Sequence, residues 1–250
     1  MIKFLIPSAK EMKFTAQPSS FLSQPAQKYQ PIIDTLSVLT SEQLERLYKV
    51  NPKMAKTEWQ HIQAIKNQTA LTYPALDLFN GLMYRHIKRQ DLSEKEYSYL
   101  KDRAFITSAL YGIISVFDHI APHRLDFNVK LDIKKQPLKS YWRQEYDNFV
   151  KKDDKVISLL SSEFEDVFSP KVRAHFLKLK FLEEKNGQLK SHSTISKKAR
   201  GAFLTQALKK QCQSVNELKE IHFQGFAYEE QLSTKKLLVF VKYSNSQGFL

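Results

Sequence analysis

The sequence predicts an α+β fold, a single mixed α/β domain in which helices surround a central sheet that is mostly antiparallel or mixed. Short apolar runs of strand length alternate along the chain with amphipathic segments that begin at helix-capping residues. No stretch rich in Pro, Gly and Ser divides the 250 residues, and no internal repeat is found. Hydrophobic residues make up 42% and charged residues 26%, which is typical of a globular protein. We therefore predict one domain over residues 1–250.

Strands are predicted where short apolar runs are bounded by turn residues. The clearest signal lies at residues 177–187, where Leu and Phe alternate with Lys and an Asn-Gly pair supplies the turn of a hairpin. Residues 105–114 are apolar and rich in β-branched side chains, which predicts one buried strand that ends near Gly112. The remaining predicted strands cover residues 2–6, 156–160 and 237–243.

Helices are predicted from their capping residues. Thr40 and Ser93 each begin a capping box, and Pro52 is suited to the first position of a third helix. Residues 138–150 place aromatic side chains at helical spacing, which predicts a helix with a buried face. The prolines, serines and glutamines before Gln30 predict irregular structure there. Three further helices are predicted to be capped by Ser161, Ser196 and Ser214.

The charge of the chain is large and unevenly distributed. The 39 Lys and Arg residues exceed the 26 Asp and Glu residues, which gives a net charge of +13. Residues 171–219 hold 12 basic and 3 acidic residues, a net charge of +9. This concentration indicates a polyanionic partner such as nucleic acid, a phosphorylated ligand or an anionic surface. A solvated basic face that only aids solubility is the open alternative.

Several classes of protein are excluded. The first apolar run is interrupted by Pro7 and is far shorter than the core of a signal peptide, and no uncharged run approaches the length of a membrane span. The single cysteine, Cys212, cannot form a disulfide within the chain. These observations predict a cytoplasmic protein without a membrane partner.

The strong enzyme signatures are absent, and no metal or cofactor is predicted. The chain has no P-loop, GxGxxG, GxSxG, HExxH or CxxC motif. The nearest metal-like pattern is His119 and His123, flanked by Asp118 and Asp126, but Pro122 interrupts the helix that this spacing would need. Two surface or half-buried histidines are the expected outcome.

The run Lys197-Lys198-Ala199-Arg200-Gly201 is the most informative local pattern. In the first turn of the predicted helix, its cations face the positive end of the helix dipole, which disfavours them. Together with free backbone N–H groups they would attract an anion. A solvated first turn is the alternative. Lys10, Tyr111 and Arg124 follow predicted strands or lie in loops, where functional side chains are common.

Taken together and in order, the motifs resemble the bacterial YaaA family of peroxide-stress proteins over essentially the whole chain. The runs KKARG and LYG are the most specific of them. The matching runs are PSAK (7–10), FNGLMY (79–84), LYG (110–112), PHRLD (122–126), SSEF (161–164), EKNG (184–187), KKARG (197–201), GFAYE (225–229) and LVF (238–240).

This resemblance implies a cytoplasmic protein that protects against hydrogen peroxide by keeping free intracellular iron low, which limits oxidative damage to DNA and proteins. It also implies a mixed α/β fold with a positively charged cleft and a helix-hairpin-helix-like element for DNA, mapped here near residues 80–84. The expected DNA- or anion-binding residues are Lys10, Tyr111, Arg124, Lys197, Lys198 and Arg200, supported by Gly81, Gly112, Glu163 and Gly201.

Two functional hypotheses stay open on the sequence. In the first, the protein binds duplex or branched DNA without sequence specificity, through contacts of Lys and Arg with phosphates. In the second, an enzyme or ligand-binding protein acts on a small anion in the same cleft. Lys10, Lys197 and Arg200 would then hold the anion, and Tyr111 and Glu163 would transfer protons. No clustered set of iron ligands is found, so lowered iron is expected to be an indirect outcome.

Overall fold

A mixed sheet of eight strands forms the centre of the computed structural model, which describes residues 1–19 and 26–244. Two further sheets of two short strands each lie outside this main sheet. The strands are β1 (Ile2–Pro7), β2 (Tyr73–Pro74), β3 (Ala104–Ser108), β4 (Gly112–Ser115), β5 (His119–Ile120), β6 (Asp132–Ile133), β7 (Gln136–Pro137), β8 (Lys155–Ser158), β9 (Leu177–Lys185), β10 (Gln188–Lys190), β11 (Phe226–Tyr228) and β12 (Leu237–Lys242).

The main sheet has the strand order β11-β12-β9-β8-β1-β3-β4, and β10 pairs with β9. Its centre is parallel, because β1 pairs in parallel with β3 and β8, and β9 with β8 and β12. The antiparallel pairs are β3 with β4, β9 with β10, and β11 with β12. The prediction of a mixed α/β fold is confirmed. Since β1 and β8 are parallel neighbours, the loops that follow them leave the same edge of the sheet.

Helices surround the sheet, and the predicted capping boxes are confirmed at Thr40 and Ser93. None of the helices within the two described ranges is long and apolar enough to cross a membrane. The helices are α1 (Ala26–Ser37), α2 (Ser41–Tyr48), α3 (Pro52–Lys66), α4 (Ala75–Leu78), α5 (Glu94–Arg103), α6 (Leu138–Phe149), α7 (Ser162–Glu165), α8 (Pro170–Arg173), α9 (Ser193–Lys210) and α10 (Val215–Lys219), with 3₁₀ helices at Tyr84–His86 and Glu230–Leu232.

The prediction of one strand over residues 105–114 is wrong, because this run folds into the antiparallel pair β3 and β4. Gly112 begins the second strand with φ +78°. The connecting turn is apolar and buried, which is possible because Ser108 Oγ accepts hydrogen bonds from the N–H groups of Leu110 and Tyr111. An apolar run by itself does not show such a turn.

The prediction of irregular structure up to Gln30 is also wrong at its end, because α1 begins at Ala26 and contains Pro31. Residues 20–25 of the predicted loop lie outside the described residues. Ile32 is fully buried and Leu36 nearly so, and their burial outweighs the backbone hydrogen bond that proline removes.

Helix α9 begins at Ser193, three residues before the predicted cap at Ser196. The cations of the KKARG run therefore lie in the second and third turns of the helix rather than in the first. Their backbone N–H groups belong to the helix, so the prediction that free N–H groups assist them in binding an anion is wrong.

The aromatic stripe of α6 packs into the main core, as predicted. Trp142 and Tyr146 are fully buried in one continuous cluster that also includes side chains of β1, β3, β8 and α9. Trp142 Nε1 donates to the backbone oxygen of Ala109 at 2.8 Å, and Tyr146 Oη donates to that of Ser108 at 3.0 Å. These bonds satisfy carbonyl groups of the buried turn between β3 and β4, so the helix and the turn stabilise each other.

Candidate functional site

A cleft of about 350 Å³ opens at the sheet edge where β1 and β8 end. The loop after β1, the turn before the 3₁₀ helix at Tyr84–His86, the loop after β5, the loop after β8 and the side of α9 form its walls. The cleft is defined here by Lys10, Gly81, Asp126, Glu163, Lys197 and Arg200.

The loop after β1 is held in place from two sides. The Ser8 N–H donates to the backbone oxygen of Thr107 at 3.1 Å, which extends the pairing of β1 with β3 beyond the end of the strand. The phenol of Tyr84 donates to the backbone oxygen of Pro7 at 2.8 Å. Lys10 therefore projects from a fixed loop.

Two glycines allow the segment 81–86 to fit between this loop and α9. A Cβ at Gly81 would lie 2.7 Å from the Cβ of Ala9, and one at Gly201 would lie 2.1 Å from the backbone oxygen of Met83. Both distances are shorter than real Cβ contacts, so only glycine permits this approach. Glycine at both positions therefore allows the segment 81–86 to pack between the loop after β1 and α9.

The loop side of the cleft, which we call the carboxylate wall, consists of Lys10, Asp126 and Glu163. Lys10 Nζ and Asp126 Oδ2 are 2.5 Å apart, and Asp126 Oδ1 accepts a hydrogen bond from the Asn128 N–H at 2.8 Å. Glu163 Oε1 accepts one from the Phe127 N–H at 3.2 Å. Burial raises the pKa of Glu163, and the charge of Asp126 raises it further, whereas Lys10 and the Phe127 N–H oppose the rise. The raised pKa makes Glu163 easier to protonate than an ordinary glutamate.

The opposite side of the cleft, which we call the α9 wall, presents Lys197 and Arg200. Within residues 1–19 and 26–244, neither side chain has a hydrogen-bond or ion-pair partner. The carboxylate whose charge acts on the pKa of Arg200 is that of Glu165. This carboxylate already accepts hydrogen bonds from Lys178 at 2.5 Å and from Ser158 at 2.6 Å. Burial lowers the pKa of the Arg200 guanidinium, and Glu165 opposes this. The α9 wall is therefore free to bind an anion.

The lining as a whole is balanced in charge, with three basic and three acidic side chains. The positive charge that is free of partners belongs to one wall, because Lys10 pairs with Asp126 and Glu11 pairs with Arg85. The cleft thus combines a site for a negative group with carboxylates that face it.

Tyr111 and Gly112, both predicted to belong to the site, lie outside the cleft lining. Tyr111 is fully buried, its phenol oxygen accepts a hydrogen bond from the Ala121 N–H at 3.3 Å, and burial raises the pKa of the phenol. A Cβ at Gly112 would meet Trp142 and Glu145 at 2.8 Å. Both residues support the buried turn between β3 and β4.

Two predicted cations lie beside the cleft rather than in it. Lys198 is exposed on α9. Burial of His86 is the main cause that lowers the pKa of its imidazole, and the charge of Lys198 is the second cause. Arg124 lines a neighbouring pocket together with His123 and Lys10. His123 is buried, which lowers its pKa to about 4, so it is neutral at physiological pH. Across the described ranges, no three His, Cys, Asp or Glu side chains are grouped to hold a metal ion.

The segment mapped to a helix-hairpin-helix-like element folds as a turn between the four-residue α4 and the three-residue 3₁₀ helix at Tyr84–His86. Arg89 holds this turn, because its guanidinium donates to the backbone oxygen of Phe79 at 2.7 Å and to Asn80 Oδ1 at 3.0 Å. Sequence reasoning did not assign Asp126 to the cleft. The signal that could have found it is its place in the PHRLD run, two residues after Arg124.

This sheet and cleft define a mixed α/β protein with a charged cleft at the carboxyl edge of parallel strands. The sequence profile of a family described as peroxide stress protein YaaA matches residues 2–232. A UPF0246 protein of Streptococcus pneumoniae strain P1031 is 52% identical over 241 residues, covering 96% of this chain and 99% of the relative. One from Streptococcus uberis is 52% identical over 244 residues, covering 97% and 99%. The chain belongs to the YaaA family of peroxide stress proteins, which confirms the resemblance.

Proposed function

We propose that this peroxide stress protein acts in the cytoplasm by binding duplex or branched DNA without sequence specificity, along the α9 wall of the cleft. The observation that carries the proposal is the absence of ion-pair partners for Lys197, Lys198, Arg200 and Arg124 within the described part of the chain. Most other cations near the cleft, such as Lys10 and Arg85, already have carboxylate partners.

Unpaired cations at a cleft favour a phosphate backbone as the ligand. A Lys or Arg that neutralises a phosphate releases a condensed counterion, and this release is independent of base sequence. Bound DNA would be shielded from oxidants, and an effect on free iron would be indirect, because the described residues hold no cluster of three metal-ligating side chains.

The proposal is tested by fluorescence anisotropy of a labelled duplex and a four-way junction at several salt concentrations. Wild-type affinity should fall steeply with salt. The double variant K197A/R200A should weaken binding to every sequence alike, and should reduce the slope of log affinity against log salt by roughly 1.8, about 0.9 for each phosphate contact.

A control that also removes two positive charges is K151A/K152A. Lys151 and Lys152 are exposed and precede β8, so they lie at the opposite edge of the sheet from the cleft. The control lowers the net charge without touching the α9 wall, and the slope should change little. No binding near physiological salt, or equal slopes for the two variants, would contradict the proposal.

The second candidate function is an enzyme or ligand-binding protein for a small anion, and one observation favours it. The carboxylate wall faces the α9 wall across a volume of about 350 Å³, and Asp126 and Glu163 oppose the close approach of a polyanion. A small ligand with one negative group would bind Lys197 and Arg200, and Glu163 would transfer the proton.

Native mass spectrometry of the purified protein separates the two functions. A small anion that is retained by the wild type and lost from R200A, together with weak binding of DNA, would favour the second. Binding of DNA without a retained ligand would favour the first.

A further inference from the structure

A second pocket of about 320 Å³ adjoins the cleft, and Lys10 lines both. We call it the α3 pocket, because the first half of α3 forms one of its sides. The chain segment after β1 and the loop around Arg124 form the others. Its lining includes Met12, Phe14, Lys53, Met54, Glu58 and His61.

Glu58 and His61 each place a buried polar atom without a hydrogen-bond partner among the described residues in the lining of this pocket. In the described part of the chain, Glu58 Oε2 and His61 Nδ1 are the buried side-chain polar atoms that have no hydrogen-bond partner. Glu58 is only 8% exposed, and its other oxygen, Oε1, lies 3.5 Å from His61 Nδ1. Because native folds rarely leave buried polar groups unsatisfied, these two atoms need a partner from outside the chain, such as a water molecule or a ligand.

The other sides of the pocket are apolar and cationic. Phe14 is 56% exposed and Met54 37%, although both are large apolar side chains. An edge-to-face contact with Tyr73, with ring centroids 5.6 Å apart, holds Phe14 in place. Arg124 and Lys53 have no ion-pair partner within the described residues. The lining of the pocket therefore combines the buried carboxylate of Glu58, the exposed ring of Phe14 and the cations Lys53 and Arg124.

We propose that the α3 pocket binds one unpaired guanine nucleotide, which rests on the proposed DNA-binding function and names the ligand of an additional site beside the cleft. The guanine edge carries two adjacent donors, N1–H and the 2-amino group, and these match the two oxygens of the Glu58 carboxylate, of which Oε2 has no hydrogen-bond partner within the described residues. The exposed face of Phe14 stacks on the base, and Lys53 and Arg124 bind the phosphate.

The dimensions of α3 fit this arrangement. Lys53 and Glu58 are five residues apart, so they are separated by about 7.5 Å along the helix axis, which leaves room for the sugar between phosphate and base. Glu58 lines the pocket but its Oε2 atom is buried, so binding requires the Glu58 side chain to rotate toward the base. Because Lys10 lines both sites, a strand whose phosphates lie on the α9 wall can place a base in the α3 pocket.

The test titrates GMP against the full-length protein by isothermal calorimetry, with IMP, which lacks the 2-amino group, as the matched ligand. We expect E58Q to weaken GMP binding by roughly tenfold or more, since a charge-assisted hydrogen bond is lost. IMP should bind the wild type more weakly than GMP. F14A should weaken both ligands by roughly fivefold or more through loss of stacking.

The control variant is E220Q, which removes an exposed carboxylate outside the α3 pocket, and it should leave GMP binding unchanged. Thermal melting of E58Q and F14A verifies that both remain folded. Failure of GMP to bind, or equal binding of GMP by E58Q and the wild type, would overturn the proposal.

A second arm separates this inference from the proposed function. Duplexes with one unpaired G or one unpaired T are compared with the fully paired duplex, and we expect a preference for unpaired G that E58Q removes without weakening paired duplex binding. Salt-dependent duplex binding with no preference for G would sustain the proposed function and overturn the nucleotide site in DNA. GMP binding that depends on Glu58, without any DNA binding, would identify a free nucleotide as the ligand and overturn the proposed function instead.

Discussion

The two walls of the cleft differ in how their charges are satisfied. On the carboxylate wall, Lys10 pairs with Asp126, and Glu163 accepts a backbone hydrogen bond. On the α9 wall, Lys197 and Arg200 have no such partners within the described residues. A basic residue count does not distinguish the two walls, because both contain cations. Only the ion-pair partners distinguish them: Lys10 of the carboxylate wall is neutralised by Asp126, whereas the cations of the α9 wall are open to an external anion.

This difference shows where specificity and affinity would arise. The α9 wall can attract any negative group, since neither Lys197 nor Arg200 forms an ion pair with a carboxylate of the described residues. The carboxylate wall repels a negative group unless Glu163 carries a proton, which its raised pKa favours. Variants that alter one wall at a time test this division.

The largest effect is expected from G201A, which would force α9 away from the segment around Met83 that lines the cleft. Helix propensity alone favours alanine over glycine by about 1 kcal/mol. The new Cβ would lie 2.1 Å from the backbone oxygen of Met83, so we expect a net destabilisation of about 2 kcal/mol or more, measured by urea denaturation.

The control is G187A, where a Cβ meets nothing within 4 Å and only the positive φ of +74° is strained. It should cost about 1 kcal/mol. A G201A protein as stable as the wild type would show that α9 and the segment around Met83 are not in close contact.

A smaller effect is expected from E163Q, and its sign depends on pH. Because the folded-state pKa of Glu163 is raised, ionisation of this carboxyl disfavours the folded state once the pH exceeds the ordinary glutamate value. E163Q should therefore be more stable than the wild type at pH 7, and this advantage should vanish as the pH falls below that value. Thermal melting across pH 3–8 measures it.

The opposite sign is expected for E184Q. A hydrogen bond from Ser244 and another from the Gly187 N–H lower the pKa of Glu184, so its ionisation favours the folded state. E184Q should therefore lose stability relative to the wild type at pH 7. If both variants responded to pH alike, the charge environment assigned to Glu163 would be incorrect.

The next prediction concerns the independence of the walls. D126N should lower the pKa of Glu163 toward its usual value, because the charge of Asp126 helps to raise it. R200A should leave that pKa unchanged, since Arg200 is not among the groups that shift it. A pH titration of the Phe127 amide by NMR follows both variants, and an equal response would mean that the walls are electrostatically coupled.

The smallest effect is expected from K198A. Burial is the main cause of the lowered pKa of His86, and the charge of Lys198 adds to it. The variant should raise the pKa of His86 slightly, whereas K197A should not, although the two lysines are adjacent. An NMR titration of the His86 ring distinguishes them, and a larger shift in K197A would reverse their assigned positions.

Local structure was largely predictable because its causes lie within a few residues. In the capping boxes at Thr40 and Ser93, the hydrogen bonds join side chains to backbone N–H groups three residues away. The hairpin turn at Asn186 and Gly187 has the positive φ angles that its residue types favour. The errors arose where distant packing decides, as at the buried turn between β3 and β4, whose carbonyl groups are satisfied by α6.

The candidate site was predictable in composition but not in arrangement. Lys10, Gly81, Glu163, Lys197 and Arg200 line the cleft as the motif runs indicated. Tyr111 belongs to the core instead, and Asp126 was not assigned to the cleft. The PHRLD run offered a signal for Asp126, but its contact with Lys10 and the burial of Tyr111 depend on how segments distant in sequence pack together.

The sequence by itself determined the capping boxes at Thr40 and Ser93, the hairpin, the excess of positive charge and the family, because these depend on local chemistry and on ordered motifs. The tertiary structure decided which of the cations are neutralised. Parallel pairing of β1 with β8 places the loops that carry Lys10 and Glu163 at one edge of the sheet, and the loop after β5 adds Asp126, which pairs with Lys10. The close approach permitted by Gly201 packs α9 against the segment around Met83, and Lys197 and Arg200 on α9 have no ion-pair partner within the described residues. Charge pairing acts over a few ångströms in space, and only the fold sets those distances.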